Sequence, residues 1–169
     1  MSGRRLRASR RWPELEPSQR LPSEARAYFV LSGLAWSVPV AIGLFVAAGT
    51  LTDNDLPALA WVLRAAAPVI VAVGGVALPV VRWRIWRYEI REHEIDLQHG
   101  ALRVRRTLIP MTRVQHVESE RTVLSDLFDL RAVTVHTAAG EHKIPALSEG
   151  EAAAMRDRIA LLAREPDVV

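Results

Sequence analysis

Apolar side chains are concentrated in two runs, Tyr28 to Leu51 and Ala58 to Val81, with only six residues, Thr52 to Pro57, between them. A helix rises about 1.5 Å per residue, so about 20 apolar residues cross the hydrocarbon core of a bilayer, and each run is long enough to span it with some tilt. The pattern predicts a transmembrane hairpin with spans at 28–51 and 58–81. The first run is of full length and the second follows at once, so the first reads as an anchor and not as a cleaved leader. Gly33 with Ser37, and Gly43 with Ala47, are small-xxx-small pairs that let a second helix approach closely. Gly74 and Gly75 read as packing or bending positions. Trp61 and Arg64 read as an interfacial ring and a snorkelling guanidinium.

From Ile85 the period falls to two. Trp86, Tyr88 and Ile90 alternate with Arg87, Glu89 and Arg91; Ile95 and Leu97 with Asp96 and Gln98; Leu102 and Val104 with Arg103 and Arg105. Alternation of this kind predicts strands with one buried face. Glu92-His93 and His99-Gly100 fall at the reversals and read as hairpin turns, the second with a glycine for a positive φ. Pro110 ends the third strand. Arg113 to Arg121 is a fourth, with Val114 and Val117 out of step as at a bulge. Val133 and Val135 mark a fifth, Ala139-Gly140 a turn, and Ile144 to Leu147 a sixth. Ser148 with Glu151 matches a capping box, after which Ala152, Met155, Ile159 and Leu162 recur at helical spacing until Pro166.

The predicted fold is therefore α+β: a two-helix transmembrane hairpin, then a domain at 82–165 made of an antiparallel β-barrel or sandwich closed by a C-terminal helix at 148–164. Residues 1–27 are Arg-rich, contain Pro13, Pro17 and Pro22, and show no sustained apolar period, so a disordered basic tail is expected there.

Charge sets the orientation. Arg4, Arg5, Arg7, Arg10, Arg11, Arg20 and Arg26 precede the first span and Arg82, Arg84 and Arg87 follow the second, whereas the connecting loop carries Asp53 and Asp55 and no base. The positive-inside rule puts both ends in the cytoplasm. The net charge of +3 is accounted for by arginine near the membrane surface and does not require nucleic acid. There is no cysteine, which excludes disulfides, thiolate metal sites, cysteine nucleophiles and palmitoylation.

Candidate chemistry is sparse. His93, His99 and His142 fall at turns or strand ends, and His116 and His136 fall within strands; none has the spacing of a zinc motif, so neither metal nor cofactor is expected. Ser119 and Ser125 lack the flanking glycines of a nucleophile elbow, and Ser125-Asp126 reads as a turn or helix cap. No catalytic residue is assigned. The main polar constellation is Arg103, Arg105, Arg106 and Arg113, on adjoining strands just beyond the exit from the second span. Guanidinium groups along one edge can hold phosphate bidentately, or can form a membrane-facing basic face without a stereospecific ligand; the short tether favours the second.

The run RWRIWRYEI (Arg82 to Ile90), the glycine and basic strand leading through proline to RVQHV (Gly100 to Val117), and the VTVHTAAG turn followed by a helix (Val133 to Ile159) resemble the bacterial pleckstrin-homology-like family of the YdbS type, also called the membrane-flanked domain. Where that family has a Gly-Pro-Leu-Glu-Arg-like stretch and a Phe-Gly-Leu turn, this chain has Thr122-Val123-Leu124-Ser125-Asp126 and Phe128-Asp129-Leu130, with Asp129 in place of the glycine. The resemblance implies a pleckstrin-homology-like barrel, a membrane-associated binding role with no known catalytic residues and no established ligand, and a companion multi-span membrane protein carrying related domains. The reading is of a multi-pass protein of a bacterial inner membrane that serves as a non-catalytic binding or assembly module, with homo-oligomerisation open to it. The alternatives are an anionic-lipid sensor and a membrane enzyme.

Overall fold

In the computed structural model, which describes residues 16–53 and 56–163, the apolar runs form two helices packed side by side, α1 (Ala25–Asp53) and α2 (Pro57–Ile85). Proline at the start of α2 costs nothing, because the first N–H groups of a helix have no partner to lose. Further along, Pro68 removes one donor from the ladder, and from Val71 to Ala77 the helix widens into π turns before tightening again at Leu78. Ile42, Phe45, Val46 and Val62 are each about 60% exposed. A helix buried in a soluble core does not leave such a surface bare, whereas lipid covers it.

The seam between the helices is the first of the two predicted small pairs. A Cβ on Gly33 would lie 2.5 Å from Pro79 Cγ and 2.8 Å from the Gly75 carbonyl oxygen, and one on Gly75 would lie 2.7 Å from Ser37 Oγ. Gly43 has nothing within 4 Å, so the second pair is not part of this seam. Arg64 is tied down, donating to Thr52 Oγ1 at 3.3 Å with its guanidinium 5.6 Å from the centre of the Trp61 ring.

The rest of the chain is antiparallel sheet. One sheet is ordered β1 (Gln19–Arg20), β2 (Arg87–Ile90), β3 (Glu94–His99), β4 (Arg105–Pro110); a 3-10 turn then leads to a second, β5 (Val114–Glu120), β6 (Leu130–Thr137), β7 (Gly140–Ser148). A short helix α3 (Val123–Asp126) bridges β5 and β6, and α4 (Glu149–Leu162) packs on the second sheet. The sheets form an open sandwich and do not close into a barrel. Ile95, Leu97, Val133, Val135, Ile144 and Ile159 meet between them, essentially without exposure.

Several local expectations hold in detail. The register of β5 slips between Val114 and His116, where the broken alternation falls. Ser148 Oγ accepts from the Glu151 N–H at 3.3 Å, and the Ser148 N–H donates to Glu151 Oε2 at 3.0 Å, which completes the capping box of α4. Asp129 has φ +52, so the left-handed turn is kept by a residue type that tolerates it. Ser125 is a cap partner rather than the cap itself: its N–H donates to Thr122 Oγ1 at 3.2 Å, and the Thr122 N–H donates to its Oγ at 2.8 Å. A second slip, opposite Arg131–Val133, takes up Pro145, which has no N–H to leave unpaired, and Ala146 at φ +54.

Two expectations fail. The disordered tail expected at residues 1–27 fails over its described part, 16–27: β1 pairs with β2, and Pro17 and Leu21 are buried. A two-residue strand is too short to show a period. Residues 1–15 lie outside the described residues. The third strand begins at Arg105 and not at Leu102, because Gly100 (φ +138) turns the chain so tightly that a Cβ there would lie 2.1 Å from the Arg103 carbonyl oxygen. Leu102 is consequently 94% exposed and Val104 53%. Their alternation with Arg103 and Arg105 has no buried face behind it.

Docking of α4 is open to a direct test. Ile159→Asp places a carboxylate in the centre of the core and is expected to cost about 4 kcal/mol, whereas Leu161→Asp, on the exposed face, should change stability by less than about 0.5 kcal/mol. Denaturant unfolding of the detergent-solubilised chain, followed by tryptophan fluorescence, separates the two.

Candidate functional site

The predicted arginine constellation divides into structural and surface groups. Asp96 lies on β3 and is fully buried. Arg106, on β4, donates from Nε to Asp96 Oδ1 at 2.9 Å and from Nη2 to Oδ2. Arg91 approaches the same Oδ2 at 3.5 Å while binding Glu89 and Glu94 at 3.0 and 3.1 Å. Hydrogen bonds to these carboxylates hold both guanidinium groups above the usual arginine value. Arg106 is therefore a lid on a buried carboxylate and not a ligand-binding group. Arg113 lies in the 3-10 turn after β4, at the far end of a strand about 20 Å long from Arg105. The four arginines do not converge on one ligand.

Arg103 and Arg105 have different company. The loop that leads into them faces the helical hairpin: Ala101 and Leu102 border a cavity of about 360 Å³ together with Gly33, Trp36, Pro79 and Arg82. Gly33 and Trp36 lie five and eight residues into the first apolar run, a depth of about 7–12 Å at the helical rise. The loop tip thus stands beside the first turns of the apolar run. Behind it, the His99 ring stacks on Trp86 at 5.6 Å, and its Nδ1 is buried without a hydrogen-bond partner. Burial, and then the charges of Arg105, His142 and Arg82, push the His99 pKa down. Protonation here would add a charge to a place that already repels one.

The 122–129 turn forms a second surface feature. Its backbone is fixed by the Thr122–Ser125 capping box and by Asp129, and Asp126 accepts ion pairs from Arg121 and Arg131 at 3.3 and 3.5 Å. On this rigid frame Val123 is 87% and Leu127 73% exposed, and α3 lies against α1. Sequence reading missed the pair because two apolar residues in so short a segment have no period. The histidines His116 and His136 face each other across β5 and β6, while Ser125 Oγ is engaged with Thr122.

The division of the arginines predicts opposite outcomes for neighbouring substitutions. Arg106→Ala leaves Asp96 buried with its main partner gone and should cost about 3 kcal/mol, whereas Arg105→Ala should stay within about 0.5 kcal/mol of the parent. Equilibrium denaturation of the two variants is the measurement.

Comparison with known proteins agrees with this architecture. Residues 30–163 match the family model of the bacterial PH domain. A relative from Bacillus subtilis (strain 168), the UPF0699 transmembrane protein YdbS, is 48% identical over 90 residues, covering 53% of this chain and 57% of that protein. The chain thus spans little more than half the length of that curated relative in alignment. No solved structure matches. With two lipid-exposed helices joined to a sandwich of two antiparallel sheets and a terminal helix, and a family match over most of its length, the chain is a membrane protein of the bacterial PH domain family.

Proposed function

We propose that this chain is a non-catalytic binding or assembly module that presents its pleckstrin-homology-like domain, at the cytoplasmic face of a bacterial inner membrane, to a partner membrane protein. The arginine-rich flanks of the two spans support this orientation. The observation that carries the reading is the exposed apolar pair Val123 and Leu127 on a turn held rigid by its own hydrogen bonds. Apolar side chains on a pre-ordered frame suit docking, because the backbone that carries them need not be ordered when a partner covers them. The position of α3 against α1 keeps the pair close to the bilayer, where a membrane protein can reach it. A photoreactive residue in place of Val123 in the full chain, irradiated in native membranes, is expected to give an adduct with a different, multi-span membrane protein, and Leu127→Glu should abolish it. Adducts containing only lipid, or only a second copy of this chain, overturn the reading.

A second reading, an anionic-lipid contact, is favoured by Leu102, an apolar tip 94% exposed and followed directly by Arg103 and then Arg105, beside the spans. An apolar tip with bases next to it suits the interface, each base gaining on the order of 1 kcal/mol from anionic lipid. The chain has no cysteine, so Leu102→Cys can carry a single environment-sensitive dye. In anionic liposomes its emission should be blue-shifted relative to a dye at Ala139. The shift should weaken with salt and fall in steps with Arg103→Gln and Arg105→Gln. Loss of the response to one headgroup through a single arginine would indicate a stereospecific pocket instead.

A further inference from the structure

Strand register brings together a set of metal-ligating side chains that sequence spacing conceals. β5 and β6 pair so that His116 stands directly opposite His136 and Glu118 opposite Thr134, and alternation puts His116, Glu118 and His136 on one face of the sheet. The imidazole rings stack with centroids 4.1 Å apart and planes 11° from parallel. Glu118 reaches both: Oε1 lies 3.4 Å from His116 Nε2, and Oε2 lies 3.5 Å from His136 Nε2. One ligand atom from each residue falls within 4.8 Å of the others.

We propose that His116, Glu118 and His136 bind one divalent transition-metal ion of the zinc class. Separations of 3.4 and 3.5 Å are long for hydrogen bonds between nitrogen and oxygen. They match the edge of about 3.3 Å between neighbouring ligand atoms of a tetrahedron whose metal–ligand bonds are about 2.0 Å. The Nε2 of His136 is itself buried and makes no hydrogen bond, so a nitrogen with a lone pair to offer is directed into the cluster unmatched. On its far side, Glu141, which faces His136 from β7, sets Oε1 3.5 Å from Nδ1. A carboxylate on that side needs to close by only a few tenths of an ångström to accept the Nδ1 proton in a hydrogen bond and leave Nε2 as the ligand, the arrangement that supports a metal-bound histidine from outside. His116 is the more exposed ring and can turn to bring its Nε2 onto the ion. Two imidazoles and one carboxylate suit zinc, copper or nickel and offer too few oxygens for calcium or magnesium. Three protein ligands at a solvent-facing position leave the fourth for water. An ion bound there would join β5 to β6 near the β6–β7 turn, well away from α4 on the opposite face of the sheet.

The test uses the full chain in detergent, purified without a histidine tag and stripped by chelator. On adding Zn²⁺, one ion should bind per chain and the melting temperature should rise, because the ion binds the folded register and not the unfolded chain. Co²⁺ in its place should give the visible absorption of a tetrahedral site. His116→Gln and Glu118→Gln should each lose the stoichiometric ion and the thermal shift. Glu141→Gln should retain the site with an affinity lowered about tenfold or more, and His142→Gln should behave as the parent. His116 is exposed, so its variant should melt with the stripped parent when metal is absent, which separates loss of a ligand from loss of fold. Zinc binding undiminished in His116→Gln, or a stripped parent that takes up no stoichiometric ion, overturns the proposal.

Discussion

The domain and the membrane hairpin share one hydrophobic core, and the position of every surface feature depends on that shared core. Leu21 and Phe29, at the entrance to α1, are buried in the same cluster as Trp86 and Tyr88, at the exit from α2. Trp83 donates from Nε1 to the Pro22 carbonyl at 3.0 Å, and the Arg82 guanidinium lies 5.8 Å from the centre of the Phe29 ring. β1 then adds the chain just before α1 to the edge of the sheet that begins just after α2. A flexible tether would let the domain rotate freely over the bilayer. Here the two helix ends are part of the packing, so the Gly100–Val104 loop and the 122–129 turn are held in place beside the spans.

The polar groups are arranged to the same end. Asp96 is a charge without solvent, and such a charge persists only if it is paired and hydrogen-bonded on several sides. Arg106 and Arg91 supply that pairing on the outer face of the first sheet, which engages two guanidinium groups within the fold. Arg103 and Arg105, at the bend set by Gly100, have no carboxylate within ion-pair distance among the described residues. Burial of one carboxylate therefore decides which of four neighbouring arginines are taken up by the fold and which carry no carboxylate partner among the described residues. Tyr88 shows the same environment from inside: burial, with Glu151 nearby, pushes its hydroxyl up to about 12, so it stays neutral in its role as a core side chain.

The legible part of this chain was the part with a period. Two apolar runs, the alternation from Trp86 to Leu97, the bulge at Val114 and the Ser148 capping box are all local patterns, and the structure reproduces each. Features that depend on two distant segments were not legible. Arg106 and Asp96 are ten residues apart, but only the β3–β4 register makes them partners. Leu102 and Val104 alternate as well as any strand, but a strand needs something to bury against, and Gly100 turns these residues away from the core. His116 and His136 are separated by nineteen intervening residues that no zinc motif would bridge; pairing of β5 with β6 closes the gap to 4.1 Å between ring centres.

The binding role proposed above does not need a deep pocket, because anchoring changes what affinity is required. Two proteins confined to one bilayer meet at an effective concentration far above that of the same domains free in solution, so a contact too weak to hold soluble partners can hold membrane-bound ones. Val123 and Leu127 are two side chains, far less than a standard protein interface. On a domain whose height and tilt are set by Phe29 and Trp86, they are presented to the same neighbourhood at all times, and the orientational part of the binding cost is met when the chain folds. A small patch is therefore sufficient only while the shared core is intact. On this view, a substitution at Phe29, which touches neither Val123 nor Leu127, weakens partner binding by releasing the frame that aims them.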